Sequence, residues 1–274
     1  MLYFATPGVP RSTPGSGGTV AGLRHAHSLG IRAMEIEWVQ AVPKNVERVE
    51  EVGQTAKDLG MALTVHAPYY VNLNSPDATT LEASKKRILD ALTMSQIAGV
   101  RSVCVHAAFY LGKPPEAAYD NVRRAVESIM KLKQKLFPSV NLALETMGKP
   151  SQFGTLEEVL RVSKEFDLYP CVDSAHMHAR TNGMINTTEE WNEMFDTYST
   201  FLGKKSLSGM HLHFSGIAYG PKGEKHHLPL RESDARWRDF LKVCKDRQIG
   251  GVFVCESPEM EDDTLLLQKT FNAL

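Results

Sequence analysis

No C-x-x-C pair occurs in this 274-residue chain, and its four cysteines are widely spaced. Cys104, Cys171 and Cys255 fall in apolar, strand-like runs and read as small buried hydrophobes in a reducing compartment. No stretch approaches eighteen uncharged apolar residues, and no basic segment followed by an apolar one opens the chain. A cytoplasmic protein with no membrane partner is therefore expected. Neither sign of charge dominates: the formal net charge is −1, so charge alone does not suggest a nucleic-acid binder, although a local basic rim can sit on a neutral protein. No low-complexity tract or linker breaks the chain, and one domain over 1–274 is expected. With 42% hydrophobic residues, a core of that size can be filled.

What is present is a rhythm. "HSLGIRAMEIE", "KDLGMALTVHA", "QIAGVRSVCVHA" and "DRQIGGVFVCE" each run from an amphipathic helix through a glycine into a short aliphatic strand. Val46, Val49, Val52, Ala56 and Leu59 recur at helical spacing, as do Val122, Val126, Ile129 and Leu136. Thr155 with Glu158, and Thr187 with Glu190, have the form of capping boxes. The strands fall near 2–5, 33–37, 62–66, 102–106, 141–145, 169–173, 208–213 and 251–256. Each is nearly all apolar, as strands buried on both faces are. Eight alternating units predict a (β/α)8 TIM barrel.

Polar residues interrupt the strand ends in series. His66 ends the third strand, His106 the fourth, Glu145 the fifth, Asp173 the sixth and Glu256 the eighth, while His211 lies on the seventh. A single strand-end histidine is more often a satisfied structural residue, and a single carboxylate is usually a helix cap. Six in succession converge on the C-terminal rim, where barrel active sites are built. So many carboxylates and imidazoles in one small space need a positive group among them, and donors of this kind suit zinc or manganese. His176, three residues past Asp173, can reach back over the rim. In "GEKHHLPL", Glu224 and His226 would share one side of an extended segment and His227 would face away. Nine ligands exceed one ion and imply two or three, the apparatus of phosphoryl displacement, with Glu145 able to bridge.

The order "VHAPYYVNLNSP", "VHAAF", "ALETMGK", "CVDSAHMHA", "MHLHFSG", "GEKHHLPL", "CESP" resembles endonuclease IV, the zinc-dependent apurinic/apyrimidinic endonuclease family, over nearly the whole chain. That resemblance implies a TIM barrel with a trinuclear zinc centre. It implies a monomer that cuts duplex DNA 5′ to an abasic site and leaves a 3′-hydroxyl. By matching motif, His66, His106 and Glu145 would hold one ion. Glu145, Asp173, His211 and Glu256 would hold a second, and His176, Glu224 and His226 a third. Glu145 would also orient the nucleophile. Tyr69 and Asn72 match the family's substrate contacts, and "GSGG" (15–18), with Gly17 and Gly18, resembles its Gly-rich first loop.

The sequence departs from the family in three places. The third-ion loop reads Glu224-Lys225-His226 where the family has Asp-Arg-His. His213-Phe214 stands in place of Asn-Asp, which makes His213 a rival ligand or a support for one; His178 has the second of these roles. The second loop, "EIEWVQAVPKN", lacks the basic, glutamine-rich stretch of the bacterial members, leaving Trp38 or Gln40 as the candidate wedge. Two other readings compete. A single-metal sugar isomerase or epimerase needs only the Glu145, Asp173, His211 and Glu256 set. A non-catalytic barrel would be expected to have lost ligands.

Overall fold

The computed structural model describes residues 1–15 and 17–274. The loop 12–18 and its "GSGG" segment contain Ser16, which lies outside the described residues.

Eight parallel strands form the predicted barrel. They are β1 (Leu2–Pro7), β2 (Ala33–Glu37), β3 (Ala62–His66), β4 (Ser102–Val105), β5 (Asn141–Leu144), β6 (Cys171–Asp173), β7 (Met210–Phe214) and β8 (Gly251–Cys255). Neighbours follow the order β5-β4-β3-β2-β1-β8-β7-β6. The two end strands meet through a parallel bridge between Glu145 and Cys171, which brings the sheet to closure. Glu145, at the tip of β5, thus sits at the closing seam.

Local sequence explains the element boundaries. Asn45 caps the helix Val46–Leu59 by accepting from Arg48 N, and Gly60 ends it at φ 64°, the left-handed conformation that residues with a Cβ rarely adopt. Both capping boxes form, at Thr155–Glu158 and Thr187–Glu190. Strand alternation then sorts side chains across the barrel wall. Met34, Ile36, Leu212, Phe214 and Phe253 turn outward to the helices, whereas Ala5, Ala33, Ala62, Val252 and Val254 fill the interior. Trp38 packs in the outer core at 8% exposure, so it is no wedge; Gln40 instead accepts a hydrogen bond from the Tyr70 hydroxyl at 3.2 Å. Among the described residues, no helix is long and apolar enough to cross a membrane.

Two antiparallel additions stand on the C-terminal side. Ala108–Phe109 pairs with Gln152–Phe153. The segment expected as an extended loop is a hairpin of Gly216–Gly220 and Gly223–Leu228. Gly223 turns at φ 81° with its backbone against the carbonyl of Gly148, and Glu224 N donates to Gly148 O at 3.0 Å. A side chain at Gly148 would strike Glu224 and His176. The two glycines let the hairpin lean over the mouth of the barrel.

Candidate metal centre

Glu145 is fully buried and stands between three sets of donors. Its Oε2 lies 2.8 Å from His106 Nε2 and 3.3 Å from His66 Nε2. Its Oε1 lies 3.3 Å from His213 Nδ1 and 3.4 Å from His176 Nδ1. His213 Nδ1 is also 3.3 Å from Glu256 Oε1, and Asp173 joins Glu145, His176 and Glu256 in one tight group. Further out, His176 Nε2 faces Glu224 Oε2 at 3.6 Å, with His227 in the same group. Three donor groups therefore follow one another across the mouth, the first two sharing Glu145 and the last two sharing His176.

Backbone carbonyls set two of the tautomers. His66 Nδ1 is held 2.9 Å from Ala67 O, and His176 Nδ1 3.0 Å from Thr146 O. Each contact assigns the proton to Nδ1 and leaves the Nε2 lone pair facing the centre.

The residues fit a metal on a specific observation. Among the described residues, Glu145 Oε1, Asp173 Oδ2 and His213 Nδ1 are buried without any hydrogen-bond partner. Such atoms are costly unless something positive stands among them. Ligands of a tetrahedral zinc ion, bound at about 2.0–2.2 Å, lie roughly 3.3 Å apart. The spacings of 3.3 Å at His66–Glu145, His213–Glu145 and His213–Glu256 match that edge. All these donors are nitrogen or oxygen, as zinc or manganese prefers.

Without an ion, protons do the balancing. Burial disfavours the Glu145 carboxylate, but His106, His176 and His213 hold it well below the usual carboxylate range. Burial opposes charge on His66 too, yet the Glu145 contact pushes it up to about 10. His176 and His213 are likewise raised despite burial, by Asp173 and Cys171 first among their partners. Asp173 goes the other way: burial, with Glu256 and Glu145 adding to it, lifts it well above its ordinary value.

The structure corrects two expected ligands. His226 is exposed and His227 turns inward, because the register shifts in the hairpin: Tyr219 pairs with Glu224 and Ala218 with His226, making Lys225 an extra residue. A bulge reverses the alternation beyond it, so Glu224 and His227 share a side. On β7 both histidines face inward, but His213 is level with Asp173 and His211 is level with Cys171, one layer deeper. His211 pairs with Glu35 at 2.8 Å and Ser102 at 3.1 Å instead of meeting the rim group.

Other expected residues scatter. Tyr69 stacks on His106 with ring centroids 5.0 Å apart and stands beside the centre. Asn72 spends its amide oxygen on Asn74 N and Phe109 N, which ties the loop. Gly17 and Gly18 line a cavity outside the barrel with Trp38 and Arg48. His178 binds Ile185 O and Asp234 and meets the edge of Tyr219, so it supports the hairpin.

The series of strand-end residues does not include Glu35 and Glu37. Both face inward from β2, and Glu37 is pushed up to about 8 by burial, helped by Glu35 and Glu256. The signal was two carboxylates, two residues apart, in an otherwise apolar strand.

The family described as the xylose isomerase-like TIM barrel matches residues 23–273. The chain belongs to that family. An uncharacterised protein of Methanocaldococcus jannaschii is 35% identical over 274 residues, covering 100% of this chain and 98% of that protein. The probable endonuclease 4 of Aquifex aeolicus is 27% identical over 173 residues, 62% of this chain and 61% of its own. Among solved structures, endonuclease IV from Thermus thermophilus superposes with a TM-score of 0.75 at 20% identity, covering 98% of each chain. The 3-keto-D-glucoside 4-epimerase of E. coli superposes at 0.70 with 16% identity, covering 99% of this chain and 98% of that one. At these identities the two structures speak for the fold.

Proposed function

We propose that this barrel is a metal-dependent phosphodiesterase of the endonuclease IV kind, incising duplex DNA 5′ to an abasic site. The observation that carries the reading is the chain of three donor groups linked through Glu145 and His176. A single-metal isomerase needs one group; linked groups suit ions placed side by side along a phosphate. In this reading His66, His106 and Glu145 hold one zinc ion, and Glu145, Asp173 and Glu256 a second, where His213 Nδ1, 3.3 Å from both Glu145 and Glu256, replaces His176 Nδ1, which is engaged by Thr146 O. His176, Glu224 and His227 hold the third, where manganese is an alternative occupant.

Bound there, the ions would polarise the phosphodiester and make a nucleophile available at neutral pH. The protein's own groups do the rest. Glu145 fixes the spacing of the first two donor sets from the barrel seam. The hairpin brings Glu224 and His227 over the mouth and narrows it. Tyr69, Tyr70 and Phe109 are exposed and line one pocket, and Tyr69 stacks on His106 beside that mouth. Aromatic faces so placed suit stacking on bases displaced at a lesion.

The similarity to an epimerase keeps a second reading in play, because Glu145, Asp173, His213 and Glu256 alone would serve a single-metal sugar epimerase. One assay separates them. Zinc-loaded protein is expected to cut a labelled duplex immediately 5′ of an abasic-site analogue. Chelator-stripped protein and Glu145→Gln are expected to leave it intact. Uncut DNA with a full complement of ions would sink the repair reading and direct attention to ketoses.

A further inference from the structure

Beneath the rim lies a second cluster, Glu35, His211 and His213, of which the proposed chemistry uses only His213. Glu35 is fully buried on β2, across the barrel from β7. Its Oε2 is 2.8 Å from His211 Nε2, and its Oε1 is 2.9 Å from His213 Nε2. The two imidazoles approach each other through Nε2 at 3.2 Å. On its far side, His211 Nδ1 meets Ser102 Oγ at 3.1 Å, and Asn141 Nδ2 donates to that same oxygen at 3.1 Å. An anchored row thus runs from Asn141 through Ser102 and His211 to Glu35 and His213.

His213 is thereby held in a different manner from its neighbours. His66 and His176 are anchored by backbone carbonyls at Nδ1 and present Nε2. His213 has its Nε2 pinned between a carboxylate and another imidazole, and its Nδ1 has no partner while lying 3.3 Å from both Glu145 and Glu256.

We propose that Glu35 is a positioning residue for the middle ion site, fixing the ring of His213 through Nε2 so that Nδ1 is the ligating atom, with His211 bracing Glu35 in turn. Carboxylates behind metal-bound imidazoles commonly act this way, and their loss costs 10–100-fold in affinity. The buried cost of Glu35 has this role as its return. The inference rests on the metal-centre reading but not on DNA as substrate, so its test uses metal alone.

Metal-free wild type and Glu35→Gln are titrated with Co²⁺, reading its visible ligand-field absorption and the number of ions bound. Glu35→Gln keeps the size of the side chain, and circular dichroism and the thermal midpoint of the metal-free proteins check that it folds. In wild type, nitrogen-15 NMR is expected to show zinc-loaded His213 protonated at Nε2. In Glu35→Gln, one cobalt site is expected to weaken about 10–100-fold with an altered spectrum while the others keep their affinity. His211→Asn, which leaves both His213 and the Glu35 carboxylate in place, is expected to weaken the same site by a smaller factor. Unchanged affinities overturn the proposal, as does equal weakening of every site, which would mark a general structural role. An additional ion in wild type, lost in both variants, would make Glu35 and His211 ligands of a deep site and overturn it as well. Wild type that takes up no cobalt would overturn the metal-centre reading along with it.

Discussion

The inside of the barrel and the layer outside it are built from opposite materials. Inside, Ala5, Ala33, Ala62, Ala143, Cys104 and Cys171 leave room, and charged groups occupy it: Glu35, Glu145, Asp173, His66, His211 and His213. Outside, Phe214, Phe240, Phe253, Phe195 and Trp191 pack ring on ring, with Phe214 and Phe240 stacked at 5.0 Å. The same strands serve both, because successive residues face opposite ways. Apolar burial on the outer face offsets the cost of charges on the inner one. Binding and stability should therefore come apart under mutation.

The largest expected effect is on the inner side. Glu145→Gln removes the carboxylate shared by two donor groups. Incision is expected to fall about 10³-fold, equivalent to several kcal/mol of lost electrostatic assistance, and zinc content to fall with it. No outer contact changes, so the metal-free thermal midpoint should move only by the loss of the pairs that Glu145 makes with its histidines. The complement is Phe240→Ala, which empties the centre of the aromatic layer. It is expected to cost about 3–5 kcal/mol by chemical denaturation while zinc stoichiometry stays at the wild-type value. A drop in zinc stoichiometry from Phe240→Ala would mean that the two faces are not independent.

A smaller effect discriminates within the rim. His227→Ala is expected to weaken one ion site by roughly the 10–100-fold typical of damage to a metal site, read by competition with a chromogenic chelator. His226→Ala, one residue earlier, is expected to leave every site unchanged. The reverse result would restore the simple alternation that the hairpin bulge breaks.

That pair also shows where sequence ceases to be legible. The barrel could be read because helix–glycine–strand units are local, and each strand end announced its own polar residue. His66, His106, Glu145, Asp173, His176 and Glu256 follow from that periodicity, and the structure brings them together. His227 could not be read, because Lys225 as an extra residue depends on how Glu224 pairs across the hairpin with Tyr219. His213 and His211 share a face, and only the stagger between β6 and β7 decides which is level with Asp173. Glu35 precedes the strand end by two residues, so a pattern of strand ends does not include it. Periodicity gives the face of a strand; depth along the barrel axis is a property of the sheet.

The smallest expected effect, and the most general, is a pH dependence of the inner side alone. His66 keeps its proton up to about 10 in the metal-free fold, against 6.5 ordinarily, so its contribution is complete below pH 6.5 and is lost as pH rises towards 10. Glu37 acts in the same direction, holding a proton up to about 8 against 4.5. In both cases the folded chain binds more protons than the unfolded one, so stability must fall as pH rises. In the proposed site, zinc would displace the His66 proton, since it needs the same lone pair. The thermal midpoint of chelator-stripped protein is therefore expected to decline between pH 6.5 and 10, and that of zinc-loaded protein to decline less. Apparent zinc affinity should rise about tenfold per pH unit for each proton displaced. Melts across that pH range, with zinc and with chelator, check the sign. Parallel slopes would mean that ion and proton do not compete, and the charges inside the barrel would then need another partner.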